Sequence, residues 1–117
     1  MILEIRTYRL HRGTQDEFVR CMREESLPLL KQHGIEVVAC GTSLVNEDGA
    51  EEAFLIRAFT DLYERERQEE AFYGSEEWLA GPRDHVLSLI DGYHTIVIET
   101  TEPVARALGS AMTDDFS

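Results

Sequence analysis

Ile2-Leu3-Glu4-Ile5-Arg6-Thr7-Tyr8-Arg9-Leu10 opens the chain, and the two alternating sets of side chains in it decide the fold. Successive residues of a strand point to opposite faces of a sheet. Ile2, Tyr8 and Leu10 therefore share one face with Glu4 and Arg6, while Leu3 and Ile5 share the other. Three more stretches read as strands: residues 35–45, 53–59 and 93–101. In the second, Ile35, Val37 and Val45 oppose Val38, Cys40 and Leu44. In the third, Phe54 and Ile56 oppose Leu55 and Phe59, and in the fourth Tyr93 and Val97 oppose Ile96 and Ile98. Both faces of the resulting sheet are apolar.

Helices fill the gaps. Thr14 and Glu17 form a capping-box pattern. It opens a helix with Phe18, Cys21, Met22, Leu29 and Leu30 on or near one stripe, bent at Pro28 and ended by Gly34. Asn46-Glu47-Asp48-Gly49 reads as a tight turn, with Asp48-Gly49 a hairpin signal. Asp61 and Glu64 suggest a second capping box, before a charged helix running to Phe72. Tyr73-Gly74-Ser75 breaks it, Ser75 caps a short turn holding Trp78, and Gly81-Pro82 restarts helix with Val86, Leu87, Leu89 and Ile90. Asp91-Gly92 ends that helix.

The order β-α-β-β-α-β predicts an α+β, ferredoxin-like domain over residues 1–101. Right-handed crossovers make its four-stranded sheet antiparallel, put both helices on one face and leave the first and third strands central. Residues 102–117 are small, polar and weakly patterned, and read as a mobile arm or irregular cover. Two helices cover one face only. The other leaves roughly eight large side chains in water, each worth about 1.5–3 kcal/mol if buried. A second copy of the same face is the simplest cover, which predicts a homodimer through the sheet. The arm, with Ala105, Leu108 and Met112, is the other candidate, but it is small for the task.

Composition narrows the partners. The chain has 117 residues, a single-domain length, and a net charge of −12. That surface disfavours nucleic acid and anionic membrane. Cys21 and Cys40 stand far apart, in no zinc-binding spacing, and read as reduced, partly buried thiols. Glu4 and Arg6 interrupt any leader-like apolar run, so the expected address is the cytoplasm. GxSxG, P-loop and GxGxxG motifs do not occur, which removes the usual serine-hydrolase and nucleotide readings.

With these segments in order, the chain resembles the NIPSNAP family. The likeness is carried by Glu4-Ile5-Arg6-Thr7-Tyr8-Arg9-Leu10, Gly13, Glu17-Phe18, Leu27-Pro28, Leu62 with Arg65, and Glu76-Glu77-Trp78, over about residues 2–100. The resemblance implies a dimeric α+β barrel, two sheets facing each other with helices outside. That fold also hosts antibiotic-biosynthesis-type monooxygenases, haem-degrading enzymes, chlorite dismutase-like proteins, and dehalogenating or isomerising enzymes. The NIPSNAP group itself has no settled general reaction. Arg57, where the family often has an aromatic, and Gly81-Pro82 depart from its pattern.

Glu4, Arg6 and Tyr8 share a strand face. With Arg57 opposite, they make either a site for an anionic or carbonyl oxygen or a salt-bridge network that fixes register. A pocket between helices and sheet would be lined by Phe18, Met22, Phe59, Phe72 and Trp78, with Arg57 and His94 as further binding candidates. Arg6, Tyr8 and His85 are the catalytic candidates. Trp78 and His85 on one helical segment are similar to the haem-degrading members' iron-binding histidine and flanking aromatic. The histidines have no HxxH or HExxH spacing, so no metal is expected. The run Glu64-Arg65-Glu66-Arg67-Gln68-Glu69-Glu70 reads as a solvated helix face. Three functions follow: a cofactor-independent enzyme, monooxygenase-like or proton-transferring, on a small aromatic or polyketide-like molecule; a non-catalytic ligand-binding or adaptor protein; and haem binding.

Overall fold

In the computed structural model, which describes residues 1–112, β1 (Ile2–Leu10) lies at the centre of the sheet. It pairs antiparallel with β3 (Glu51–Phe59) and with β4 (Ile90–Glu99). β2 (Glu36–Thr42) completes the order β2-β3-β1-β4, so the first and third strands are central, as the chain order requires. β2 stops short of residue 45. Ser43 turns the chain by accepting from the Val45 amide and donating to its carbonyl, which leaves Leu44 and Val45 in solvent. β4 starts earlier than residue 93, because a register shift at Arg9/Leu10 lets Gly92 and Ile90 pair where a helix end was expected.

One face of the sheet carries α1 (Gln15–Cys21), α2 (Leu27–Gln32), α3 (Leu62–Tyr73), α4 (Glu76–Leu79) and α5 (Arg83–Leu89). Asp61 caps α3 by accepting from the Glu64 amide, and Ser75 caps α4 by accepting from the Trp78 amide. Thr14 does not cap α1. Its hydroxyl donates to the His11 carbonyl instead, and Glu17 turns to Arg20 and His85. Pro28 acts upstream of itself. A proline within a helix donates no amide hydrogen bond and crowds the carbonyl four residues back. The chain absorbs this with a π-helical turn at Met22–Ser26, where the Leu27 amide bonds to the Met22 carbonyl. Ile2, Tyr8, Leu10, Leu55 and Phe59 of the sheet meet Phe18, Cys21, Met22, Leu30, Phe72, Trp78 and Val86 of the helices in the main core. Cys21 and Cys40 are buried and unpaired with each other.

The segment after residue 101 forms a helix, α6 (Glu102–Met112), where an arm or irregular cover was expected. Its small apolar residues recur at helical spacing: Ala105 is buried and Leu108 half-buried against Leu3, Val38, Ala39 and Ala58 on the opposite face of the sheet. A bulge between Val37 and Ala39 helps by turning both Val38 and Ala39 toward it. The Met112 side chain and residues 113–117 lie outside the described residues. α6 covers only part of this face: Ile96 and Ile98 of β4 remain 46% and 42% exposed. No described helix is long and apolar enough to cross a membrane.

Candidate functional site

Glu4 and Arg57 face each other across β1 and β3, and both are fully buried. Arg57 donates from Nε to Glu4 Oε1 at 2.8 Å and also contacts it through Nη2. Arg65 donates from Nε to Glu4 Oε2 at 2.7 Å, reaching down from α3. Glu69, one turn further along α3, lies 3.5 Å from Arg57, 3.6 Å from Arg6 and 3.2 Å from Arg65. Arg6 donates to Thr95 Oγ1 at 3.0 Å and to Tyr73 Oη at 3.2 Å, and Arg57 donates to the same Tyr73 oxygen at 2.9 Å. Three guanidiniums and two carboxyls are thus tied together beneath the helices.

The two carboxyls titrate apart. Burial raises Glu69, and a hydrogen bond with Glu4 adds to this, so its pKa is pushed up to about 7. Burial also opposes ionisation of Glu4, but the hydrogen bond from Glu69 and the charge of Arg57 outweigh it and hold its pKa at about 2. Glu4 is the fixed anion of the network and Glu69 its protonatable member. Burial likewise pushes the Tyr8 phenol up, which keeps it a proton donor at neutral pH.

Above this network lies a cavity of about 400 Å³ between sheet and helices. Met22, Leu30, Leu55, Phe72, Trp78 and Val86 supply apolar wall, while Arg6, Tyr8, Ser26, Glu69 and Tyr73 supply polar atoms. The Ser26 hydroxyl is buried in the π-helical turn and has no hydrogen-bond partner among the described residues. A larger groove of about 550 Å³ runs between α6 and β2, past Lys31, Glu36 and Arg106, but no buried charge converges on it.

The structure brings together Arg6, Tyr8, Met22, Phe72 and Trp78 of the residues singled out from the sequence. Arg57 sits behind the wall, and Phe18 supports Tyr8 with ring centroids 4.9 Å apart. Phe59 packs in the core away from the cavity, at the Ile2 end of the sheet. His85 is exposed on the outer side of α5, its Nε2 2.8 Å from Glu17. The break at Gly81-Pro82 separates its direction from that of Trp78, so no histidine on this segment reaches the cavity. His94 pairs with Thr7 and lies on the opposite face of the sheet. Glu17, Cys21 and His85 bring ligand-type atoms within 4.8 Å of one another. Arg20 already supplies a cation there, bonding to Glu17 and lying 3.3 Å from the Cys21 sulfur, while burial pushes that thiol up to about 11.

Arg65 and Glu69 were missed. Their run reads as a solvated face, and Glu64 and Arg67 do pair on the surface. But residues 65, 69, 72 and 73 recur at helical spacing, and Phe72 is a core residue. The two charges on its stripe had to point inward with it.

A ferredoxin-like α+β domain with a sheet-to-helix cavity over a buried ionic network defines the class. The sequence profile of the NIPSNAP family matches residues 3–102, and the chain belongs to that family. Among solved structures it is similar to a NIPSNAP domain protein from Burkholderia xenovorans, with 20% identity over 87% of this chain and 96% of that one, and a TM-score of 0.76. It is also similar to a NIPSNAP family protein with unknown function from Agrobacterium tumefaciens, with 25% identity over 86% and 88% of the two chains and a TM-score of 0.77. The fold extends to a putative antibiotic biosynthesis monooxygenase from Nitrosomonas europaea, at 13% identity over 86% and 98% and a TM-score of 0.62. No curated protein matches the chain significantly.

Proposed function

We propose that the protein is a cofactor-independent enzyme that binds one small aromatic or polyketide-like molecule in the cavity over β1, with an anionic or carbonyl oxygen against Arg6 and Tyr8. One observation carries this reading. Three guanidiniums meet two carboxyls beside the cavity, in a chain of net charge −12. Glu4 takes the hydrogen bonds of Arg57 and Arg65, whereas among the described residues Arg6 Nη2 has only contacts of 3.6 Å and 3.8 Å to carboxylates. Arg6 therefore has capacity for a ligand oxygen. The apolar wall fits a ring or short chain, and the unpartnered Ser26 hydroxyl offers a further polar contact. A non-catalytic binding protein would use the same cavity and differ only in leaving its ligand unchanged.

A thermal-shift screen against aromatic carboxylates, phenols and polyketide-like quinols tests this. Acidic or carbonyl-bearing aromatics should raise the melting temperature, and Arg6→Met should remove their advantage over neutral analogues. Silence across the set, or no preference to lose, would overturn it.

We also propose a homodimer through the outer sheet face. Ile96 and Ile98 remain half-exposed there beside Ile5, after α6 has covered the β2 and β3 side. Sedimentation should give a dimer, and Ile96→Asp with Ile98→Asp a monomer; a monomeric wild type would refute this. The acidic surface argues against nucleic acid and anionic membrane as partners. Two buried thiols that form no disulfide with each other suit the cytoplasm.

A further inference from the structure

Among the described residues, Glu69 is the one carboxyl that both belongs to the buried network and lines the cavity. Its Oε2 atom is buried with no hydrogen-bond partner among the described residues, and lies 3.2 Å from Arg65 Nε. Beside it, Arg6 Nη1 donates to the Tyr73 hydroxyl oxygen at 3.2 Å, and Arg6 Nη2 is 3.6 Å from Glu69 Oε1. A protonatable group and a site for negative oxygen thus stand side by side on one wall. That is the pairing needed to move a proton between carbon and carboxylate while an oxyanion is held.

We propose that the substrate is a small carbonyl compound with an acidic C–H next to the carbonyl and an aromatic or apolar substituent, and that Glu69 is the base that moves this proton. This rests on the cavity being an enzyme site. The carboxylate of Glu69 takes the proton as the C–H bond breaks. The electron pair of that bond forms the carbon–carbon double bond of an enolate, and the carbonyl π pair moves to oxygen. Arg6 holds the oxygen. Glu69 then returns the proton to oxygen or to another carbon of the same anion, so one bond to hydrogen is lost and one gained. No oxidant or cofactor is consumed. Phe72 and Trp78 receive the substituent.

The groups that set the charge around Glu69 are Glu4 and Arg6 on β1, Arg57 on β3, and Arg65 on its own helix. Tyr73, Tyr8, Tyr93 and Arg83 complete the ionisable wall of the cavity. Arg6, Arg57 and Glu4 keep their charges, and Tyr8 its proton, through neutral pH. A rate change near pH 7 therefore reports Glu69.

Phenylpyruvate and benzoylacetone serve as probes. Trp78, the single tryptophan, lines the cavity and reports binding by its fluorescence. Exchange of the acidic C–H for deuterium, followed by proton NMR, reports chemistry. The wild type should exchange at least one probe more than tenfold faster than buffer, with the rate rising through about pH 7. Glu69→Gln should fall to the buffer rate and lose the pH step, while binding changes less than threefold. Binding without accelerated exchange would overturn the proton-transfer assignment and leave the ligand site standing. Exchange that survives in Glu69→Gln would overturn the role of Glu69. No binding of either probe would overturn the substrate class. Should Glu69→Gln fail to fold, a wild-type rate flat between pH 5 and 9 would overturn the assignment by itself.

Discussion

The two faces of β1 are built from neighbouring residues of one strand and solve opposite problems. On the inner face, Glu4 and Arg6 lie in a network of buried charge. On the outer face, Leu3 packs with Ala58, Val38 and Ala105 in a small apolar layer under α6. The outer layer contributes to stability through area removed from water. The inner network contributes far less than its contacts suggest, since desolvating each charge offsets much of the attraction. A fold that needed only stability would make both faces apolar. The inner face holds charge beside a cavity, which is where arranged charge has a chemical use.

The largest effect expected from this contrast is at Arg57. Arg57→Ala strands Glu4 in the core with Arg65 as its remaining hydrogen-bonded cation, and should cost about 3–5 kcal/mol in urea unfolding. Pairing it with Glu4→Gln should return a substantial part of that loss, because the unpaired charge is gone. If Arg57→Ala costs less than about 1 kcal/mol, the network is not an interdependent unit and the contrast between the faces fails.

The fold was legible where one element's pattern bound another's. Alternation in β1 and β3, with the helix–strand order, gave the sheet order and the inner core. Arg6, Tyr8, Met22, Phe72 and Trp78 followed, since each lies on an inward stripe that periodicity reveals. Where local chemistry offered rival partners, the reading failed. Thr14 preferred the His11 carbonyl to the cap, and His85 paired with Glu17 outside the cavity. Arg65 and Glu69 are ordinary members of a charged run until Glu4 is placed beneath them. α6 has a stripe of small residues whose partner, the outer face, exists only once the sheet is assembled.

A middle-sized effect separates the two carboxyls by pH. Glu69 is raised from 4.5 to about 7 in the folded chain, so between those values the folded state holds a proton the unfolded state has released. Its stabilising share is full below pH 4.5 and is lost as pH rises through 7. Glu4 runs the other way: its share is present above pH 4.5 and lost as pH falls toward 2. Stabilities from urea unfolding measured from pH 2 to 8 should therefore carry an alkaline-side decline on the order of 2 kcal/mol, absent in Glu69→Gln. The acid-side loss below pH 4 should remain in both. The same slope in both chains would mean that Glu69 titrates as an ordinary surface acid.

The smallest effect tests the outer face. Gly109 lies within α6 over β2, and a Cβ added there would meet Val38 at 3.8 Å, an ordinary contact. Alanine is favoured over glycine inside a helix by about 0.8–1 kcal/mol, partly through the entropy of the unfolded chain. Gly109→Ala should therefore raise stability by up to about 1 kcal/mol in urea unfolding while leaving probe binding by Trp78 fluorescence unchanged. The cavity lies across the sheet from α6, so a purely packing layer can be improved without touching it. A stabilised variant with altered binding would mean that the two faces are coupled through β1. A destabilised one would mean that α6 packs on the sheet with a closeness only glycine permits.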